Sequence, residues 1–187
     1  MAEHGVRFTR FYVTAPVCSS SRSGLVLGAM QTTFNAQHHR SSRSAILDPR
    51  YTHFGRVSLP DGVAPVHHLF QDAGYTPCIR GKTDFNFQCD AKALSTVKDW
   101  TQAIRGDKPW FVQLQTRGGK GGGRSLTKDE TKDAIDENAI RVPPYFPDHS
   151  VFKGILRGHY LNVLGEDKSV GQILEELKDA GQLENTF

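Results

Sequence analysis

A cysteine and an arginine four residues apart are the residues of this sequence best suited to carry chemistry. Cys18 follows a turn that contains Pro16, and three serines separate Cys18 from Arg22. Small hydroxyl residues after such a turn, then an apolar run that ends at Gly28, predict a helix over about Ser19–Leu27. The first turn of a helix presents unpaired N–H groups and the positive end of the dipole, which suits an anion. Positions i and i+4 share one helical face, so we expect Cys18 at the helix start and Arg22 in the same pocket.

The spacing of the cysteines excludes two other kinds of site. A tyrosine-phosphatase loop needs its arginine six residues after the cysteine, and that position is Gly24. A zinc site is not indicated, because Cys18, Cys78 and Cys89 form no closely spaced pair. Taken alone, Cys-x-x-x-Arg favours a buried packing cysteine beside a surface arginine, since free cysteines usually behave as small hydrophobes.

The segment around Cys18 resembles the nucleophile region of the type I sulfatases, in which Cys-x-Pro-x-Arg carries a cysteine that is oxidised to formylglycine. Three further groups of segments follow in the order of that family. They are Leu59–Gly62 with Ala73–Tyr75 and Gly81–Lys82, then Pro109–Leu114, then Val142–Tyr145 before a long helix. The resemblance implies an α/β, alkaline-phosphatase-like sandwich with a largely parallel sheet. It also implies a sulfuric ester hydrolase that acts on a sulfated small molecule or polysaccharide.

The resemblance implies roles for particular residues. Cys18 would be the formylglycine precursor and, once converted, a metal ligand; Arg22 would hold the hydrated aldehyde. Lys82 would contact sulfate as a third catalytic residue. Asp84 and Lys120 stand where the family usually has histidines, and we expect both near the substrate. Lys82 and Lys120 each follow a predicted strand, so they should converge on the pocket at Cys18.

Three departures from the family pattern affect this prediction, of which Lys120 in place of a histidine is one. Ser20 occupies the position at which the maturation signal has proline or alanine, which counts against conversion of Cys18, and an unmodified thiol cannot form the geminal diol. The histidine expected at position 84 is absent. The candidate local donors are His38, His39, His67 and His68, of which the last two are expected on the surface of a short helix.

The resemblance also implies a calcium ion, held in the family by an aspartate pair on the first strand and by a later Ser-Asp-His/Asn-Gly segment. No Asp-Asp pair precedes Cys18, and the later segment would follow Leu183–Phe187. We therefore expect a single partial N-terminal sulfatase domain, residues 1–187, incomplete at both ends. Such a chain is expected to be inactive by itself, to bind calcium weakly at best, and to self-associate through open sheet edges.

Composition narrows the class of protein. The 187 residues are 37% hydrophobic and 23% charged, which is typical of a soluble globular domain. A net charge of +3 without a dense Lys/Arg block excludes nucleic acid as a favoured partner. No apolar run reaches membrane-spanning length, and Met1–Gly5 is too polar for a signal peptide. The family is often periplasmic, secreted or lysosomal, and the sequence itself predicts no location. The glycine-rich loop Gly118–Gly123 lacks the Gly-Lys-Ser/Thr ending of a P-loop.

Two other functions stay open at this point. A non-catalytic remnant or interaction protein is favoured by Ser20 and by the missing calcium ligands. A formylglycine-dependent phosphonate or phosphate-ester hydrolase is compatible with the same nucleophile, which serves related anions.

Hydrophobic patterning predicts the elements that position these residues. The predicted strands are Phe8–Val13, Thr76–Ile79 and a buried Trp110–Gln115; the predicted helices, besides the one after Cys18, are Val66–Asp72, Ala93–Ile104 and one from Ser150. Residues 29–60 are predicted to be irregular, Val142–Pro147 extended, and Met1–Gly5 the end of a helix. Alternating strands and helices indicate a parallel sheet covered by helices.

Overall fold

The fold was analysed in a computed structural model that describes residues 5–39, 57–90, 93–116, 126–132 and 134–187. The chain divides into two compact units. The first comprises Met1–Ala103 and Asp107–Val112, and the second comprises Ile104–Gly106 and Gln113–Phe187. Three predictions lie largely or wholly outside the described residues: the helix end at Met1–Gly5, the glycine-rich loop with Lys120, and most of the irregular segment 29–60.

Helix α1 spans Cys18–Leu27 and begins one residue before the predicted start. Gly28 ends it in the left-handed conformation with φ 65°, which a residue without Cβ adopts at no steric cost. At the other end, Val17 offers no side-chain cap to the first turn. A short 3-10 helix, Gln31–Phe34, follows. The predicted helix and its glycine stop are therefore confirmed.

The strands of the first unit alternate with helices as predicted. Helix α2 spans Val66–Asp72, β1 spans Thr76–Arg80, and β2 spans Trp110–Leu114. The two strands form a small parallel sheet. A separate parallel bridge joins Val57 and Phe87. The predicted strand positions and parallel sense are confirmed, except that the side chains of β2 are half-buried rather than buried.

A hydrophobic cluster in the described part of the first unit contains Val26 from α1, Phe85, Phe87 and Leu94. The rings of Phe85 and Phe87 stack with their centroids 5.2 Å apart. Phe85 directly follows Asp84, and Phe87 lies two residues further on. Because both rings pack with Val26 of α1, they hold the segment that carries Asp84 against this helix. Hydrophobic burial thus determines where the polar side chains after β1 are placed.

The predicted strand at Phe8–Val13 is wrong. The segment has no regular structure, and its aromatic side chains are exposed, Phe8 by 67% and Tyr12 by 82%. A strand requires backbone hydrogen bonds to a neighbour, and no other strand pairs with this segment in the part of the chain that the structure describes. Aromatic and β-branched composition was therefore insufficient to predict a strand.

The helix predicted over Ala93–Ile104 is confirmed only in its last turn, since α3 spans Trp100–Ile104. The preceding residues bond to β1 instead. Ser95 Oγ accepts from the Ile79 N–H at 2.8 Å, and the Thr96 N–H donates to the Pro77 carbonyl at 3.0 Å. Serine and threonine compete for backbone groups in this way, and these contacts replace the first turns of the predicted helix.

The segment predicted to be extended, Val142–Pro147, contains a turn. The Phe146 N–H donates to the Pro143 carbonyl at 2.9 Å, with Pro144 and Tyr145 as the central residues. Proline fixes φ near the value required at the second position of a type I or II turn. The prediction of an extended segment is therefore wrong at these residues, because Pro144 occupies a turn position that favours proline.

The second unit is dominated by α5, Ser150–Asp179, which confirms the long helix predicted from Ser150. His149 caps it, with Nδ1 accepting from the Val151 N–H at 3.2 Å. The shorter α4 spans Lys128–Lys132. A 3-10 helix, Glu137–Ala139, lies between them, and another, Leu183–Asn185, follows α5. No helix in the described ranges is both long and apolar enough to cross a membrane.

Candidate active site

Helix α1 places Cys18 in its first turn and Arg22 one turn later. The Arg22 guanidinium is directed toward the segment that follows β1: Nη1 donates to the Lys82 carbonyl at 3.2 Å, and Nε lies 3.9 Å from Asp84 Oδ1. Cys18 Sγ lies 4.0 Å from the other oxygen of the same carboxylate. Both side chains of the Cys-x-x-x-Arg pair therefore face one carboxylate, as their spacing predicted.

Lys82 and Asp84 join Cys18 and Arg22, and these four side chains are called the cluster below. Lys82 Nζ lies 3.0 Å from Asp84 Oδ2. Asp84 is only 9% exposed, and a carboxylate this buried is stabilised in its charged form only when cations or hydrogen-bond donors compensate for lost water. Lys82 and Arg22 supply that compensation. The two cations and the carboxylate together leave one net positive charge beside Cys18.

The cluster changes the acid–base behaviour of its members. A hydrogen bond from Lys82 lowers the pKa of the Cys18 thiol, and burial opposes this only in part. Hydrogen bonds to Cys18 and to Asp84 raise the pKa of Lys82 above its usual value. Lys82 is consequently a cation at neutral pH, which is the state needed to bind an anion.

A buried polar network lies behind the cluster. Ser20, Ser23 and Asn86 are all fully buried. The Asn86 N–H donates to Ser23 Oγ at 3.0 Å, and Ser23 Oγ donates to the Ser19 carbonyl at 2.8 Å. Asn86 therefore ties the segment after β1 to the first turns of α1, two residues beyond Asp84.

Ser20 and Asn86 also hold the segment that follows the 3-10 helix. Ser20 Oγ donates to the Gln37 carbonyl at 2.6 Å. Asn86 Nδ2 donates to the Ala36 carbonyl at 2.8 Å, and to the His38 carbonyl in a shorter contact. Ser20, at which the sequence departs from the family's maturation signal, thus has a hydroxyl that bonds to the backbone of this segment.

The four histidines that the sequence offered as donors differ in their surroundings. His39 lies beside the cluster, whereas His38 contacts the Gln37 side chain on the surface. His68 is half-buried. The surface position expected for His67 is wrong: it is 0% exposed and packs edge to face on Phe111, with centroids 5.2 Å apart. Apolar packing of α2 on β2 accounts for its burial.

Four of the five predicted site residues are therefore described and lie together: Cys18, Arg22, Lys82 and Asp84. The fifth, Lys120, lies outside the described residues, so its convergence with Lys82 stays a prediction. Sequence reasoning missed Asn86. The alternation Phe85-Asn86-Phe87 places it on the face opposite the core, where a polar residue is expected to be exposed, and only the tertiary contact with α1 buries it.

The resemblance implies calcium, and the described residues do not fit that ion. Calcium takes six or more oxygen ligands. The cluster offers a single carboxylate, Asp84, which is already paired with Lys82 and Arg22. In the described portion of the chain no group of three or more His, Cys, Asp or Glu side chains could hold a metal ion. No step of the chemistry below is therefore assigned to calcium.

Comparison with known proteins identifies the family. A family model described as Sulfatase matches residues 1–104, more than half of the chain. The ulvan-active sulfatase of Formosa agariphila is 23% identical over 224 residues, which include all of this chain and 37% of that protein. The N-acetylgalactosamine-6-sulfatases of Homo sapiens and Mus musculus are 28% and 26% identical, again over all of this chain, and 42% and 43% of those proteins are covered.

The chain thus spans about two-fifths of the length of the curated relatives it matches. The matched range 1–104 contains Cys18, Arg22, Lys82 and Asp84, so the clustered residues lie within the part of the chain that the family model recognises. These matches confirm the resemblance predicted from Cys18 and the segments that follow it: the chain belongs to the sulfatase family.

Proposed function

We propose that this chain carries the nucleophile and the sulfate-binding side chains of a sulfate ester hydrolase. The observation that supports the proposal is the meeting of Cys18, Arg22 and Lys82 around Asp84, from two segments 60 residues apart. A sulfate monoester carries one negative charge, and the cluster has one net positive charge to match it. Fixed charges that face a developing or bound anion are an effective form of electrostatic stabilisation in a partly dehydrated site.

Each residue has a distinct role in this proposal. Cys18, once converted to formylglycine, supplies the hydrated aldehyde oxygen as nucleophile. Arg22 holds the group at position 18 through its planar, permanently charged fork, which its bond to the Lys82 carbonyl orients. Lys82 donates to a sulfuryl oxygen. Asp84 orients Lys82 and Arg22 and limits the positive charge at the site when no substrate is bound.

Several finer statements are part of the same proposal. The substrate class is a sulfated carbohydrate, by analogy with the ulvan-active and N-acetylgalactosamine-6-sulfatases. The metal of the family's site is calcium, to which position 18, once converted, would contribute one ligand; the described residues do not supply the others. The fold is the alkaline-phosphatase-like sandwich, with residues 1–187 as one domain, of which the described strands form a part. Lys120 is a further substrate contact, and the edges of the β1–β2 sheet are a surface for self-association.

Sulfate binding and mass spectrometry test the proposal on the full chain. Isothermal titration with sulfate should show binding that Lys82→Ala and Arg22→Ala each weaken about tenfold or more, since a hydrogen bond to a charged group contributes about 1.5–3 kcal/mol. Lys98→Ala is the matched control, because Lys98 is exposed and distant in sequence from the cluster. Mass spectrometry of the peptide that contains Cys18 reports its conversion.

Any turnover of an aryl sulfate that protein with converted Cys18 shows should be lost in Cys18→Ala. The same assay on wild-type chain tests the sequence-based expectation that the isolated chain is inactive. Sulfate affinity equal in Lys82→Ala, Arg22→Ala and wild type would contradict the proposal.

A further inference from the structure

A histidine stands beside the cluster from a segment that the mechanism above does not use. His39 Nδ1 lies 4.0 Å from Cys18 Sγ and 3.4 Å from Ser19 Oγ. Nitrogen and sulfur at this separation are at the outer limit of a hydrogen bond, so the contact with the thiol itself is weak. His39 thus reaches the same end of α1 as the side chain at position 18.

The segment before His39 is held unusually firmly for an exposed stretch of chain. The carbonyls of Ala36, Gln37 and His38 each accept a hydrogen bond from a buried side chain, Asn86 or Ser20. The side chains of Gln37, His38 and His39 are themselves exposed. These three consecutive hydrogen-bonded carbonyls fix the position of the backbone at His39, although the imidazole ring itself is exposed to solvent.

We propose that His39 is a second anion contact of the site, placed there by Ser20 and Asn86 as positioning residues. The proposal rests on the proposed function and extends it by one substrate-binding side chain. It relates two of the departures of the sequence from the family pattern to each other. Position 84 carries an aspartate paired with Lys82 instead of a histidine. His39 brings an imidazole to the cluster from another segment, and Ser20, which departs at the maturation signal, helps to hold that segment.

The imidazole suits this role because it can donate a hydrogen bond from Nδ1 to an oxygen without adding a permanent charge. Arg22 and Lys82 already balance one anion together with Asp84, so a third permanent cation would leave the empty site with excess positive charge. His39 is exposed, so its imidazole is accessible to an anion bound at the cluster.

Sulfate titration of the full chain tests the inference with four variants. His39→Ala should weaken sulfate binding about tenfold, the loss expected for one hydrogen bond to a charged ligand. His39→Gln should recover much of that loss, because an amide also donates. His38→Ala is the matched control, being an adjacent exposed histidine whose ring contacts Gln37 rather than the cluster, and it should bind as wild type. Lys82→Ala reports whether the anion site itself is present.

A double-mutant cycle separates positioning from general stabilisation. Ser20→Ala removes the bond to the Gln37 carbonyl and should weaken sulfate binding in the wild-type background but not in the His39→Ala background, since coupled residues are non-additive. Circular dichroism of each variant checks that it folds.

Each outcome decides one of the two proposals. If His39→Ala binds as wild type while Lys82→Ala is weakened, the inference is wrong and the proposed function survives. If His39→Ala is weakened but Ser20→Ala costs the same in both backgrounds, the positioning role is wrong. If wild-type chain binds no sulfate, both are wrong.

Discussion

Helices α1 and α4 begin in opposite ways. The first turn of α1 has no side-chain cap, since its N-cap residue is Val17. In α4, Thr127 and Glu130 form a capping box: the Thr127 N–H donates to Glu130 Oε2 at 2.7 Å, and the Glu130 N–H donates to Thr127 Oγ1 at 3.2 Å. The helix that carries Cys18 therefore starts without a side-chain cap, whereas the first turn of α4 is capped from within its own segment.

The regions around the starts of α1 and α4 also differ in whether their polar contacts are buried. The contacts of Ser20, Ser23 and Asn86 behind α1 are made by fully buried side chains. Around α4 the corresponding contacts are exposed, as in the pair of Lys168 Nζ and Glu130 Oε1 at 2.7 Å. A buried polar atom that loses its partner pays the whole cost of its desolvation, and an exposed one recovers water. Equivalent deletions should therefore have very different effects in the two regions.

The largest expected effect is on the apolar core that supports the site. Phe87→Ala removes a fully buried ring that stacks on Phe85 and should lower the free energy of unfolding of the first unit by about 3–5 kcal/mol. Phe11→Ala, the same substitution at an exposed ring of the same unit, is the comparison and should change little. Both tryptophans, Trp100 and Trp110, belong to the first unit, so tryptophan fluorescence in urea follows that unit alone. Similar midpoints for the two variants would contradict the assignment of this core.

The next effect concerns the buried asparagine. Asn86→Ala should lower the free energy of unfolding of the first unit by about 2–3 kcal/mol, because it leaves the buried carbonyl of Ala36 without its donor. Asn138→Ala, at an exposed asparagine in the second unit, is the same substitution without buried partners. Urea unfolding of the two variants, followed by circular dichroism so that both units are observed, measures the comparison. If Asn86→Ala lowered the free energy of unfolding as little as Asn138→Ala, water would have replaced the hydrogen bonds of the Asn86 amide.

Local patterns predicted α1, α2, β1 and the start of α5 to within a residue or two, because each is bounded by a proline or glycine or has a clear period. The failures have a common physical cause. Phe8–Val13 and Ala93–Asp99 have the composition of a strand and a helix, but their backbone hydrogen bonds depend on what lies beside them. Propensity carries no information about a partner that is distant in sequence.

The candidate site was predictable only in part, for a related reason. The i, i+4 spacing placed Cys18 and Arg22 on one face of α1, and the resemblance added Lys82. Asp84 was expected near the site, but its pairing with Lys82 and Arg22 could not be derived from the sequence, since it depends on the packing of Phe85 and Phe87. The role of Ser20 could not be predicted for the same reason. Its partner is the backbone carbonyl of Gln37, and because every residue has such a carbonyl, the sequence does not indicate which one is bonded.

A smaller effect follows from the hydrogen bond between Lys82 and Cys18. In unconverted protein, this bond lowers the pKa of the thiol, so Lys82→Met should raise it. The rate of alkylation by iodoacetamide, which requires the thiolate, should then rise with pH at a higher midpoint than in wild type. Lys98→Met, at an exposed lysine, is the control and should leave the midpoint unchanged. Equal midpoints in Lys82→Met and wild type would show that the helix start, rather than Lys82, stabilises the thiolate.

The smallest expected effect is at the capped helix, and its pH dependence has a definite sign. The hydrogen bonds from Lys168 and from Thr127 lower the pKa of Glu130 from 4.5 to about 2. A carboxyl group with a lowered pKa in the folded protein stabilises it above the unfolded value, and this contribution is lost as the pH falls from about 4.5 toward about 2. Glu130→Gln should therefore increase amide hydrogen exchange in residues 126–132 at neutral pH and have no effect near pH 2.

Because Glu130 is exposed, water and salt screen its pair with Lys168, and the difference should shrink further at high ionic strength. Glu184→Gln, at an exposed glutamate of the same unit, is the matched control and should leave exchange in residues 126–132 unchanged at every pH. Hydrogen exchange followed by mass spectrometry between pH 2 and pH 7, corrected for the intrinsic pH dependence of exchange, makes the measurement. An effect of Glu130→Gln that persisted unchanged at pH 3 and in high salt would mean that shape rather than charge caps α4, and the contrast with the uncapped start of α1 would then have to be explained by packing alone.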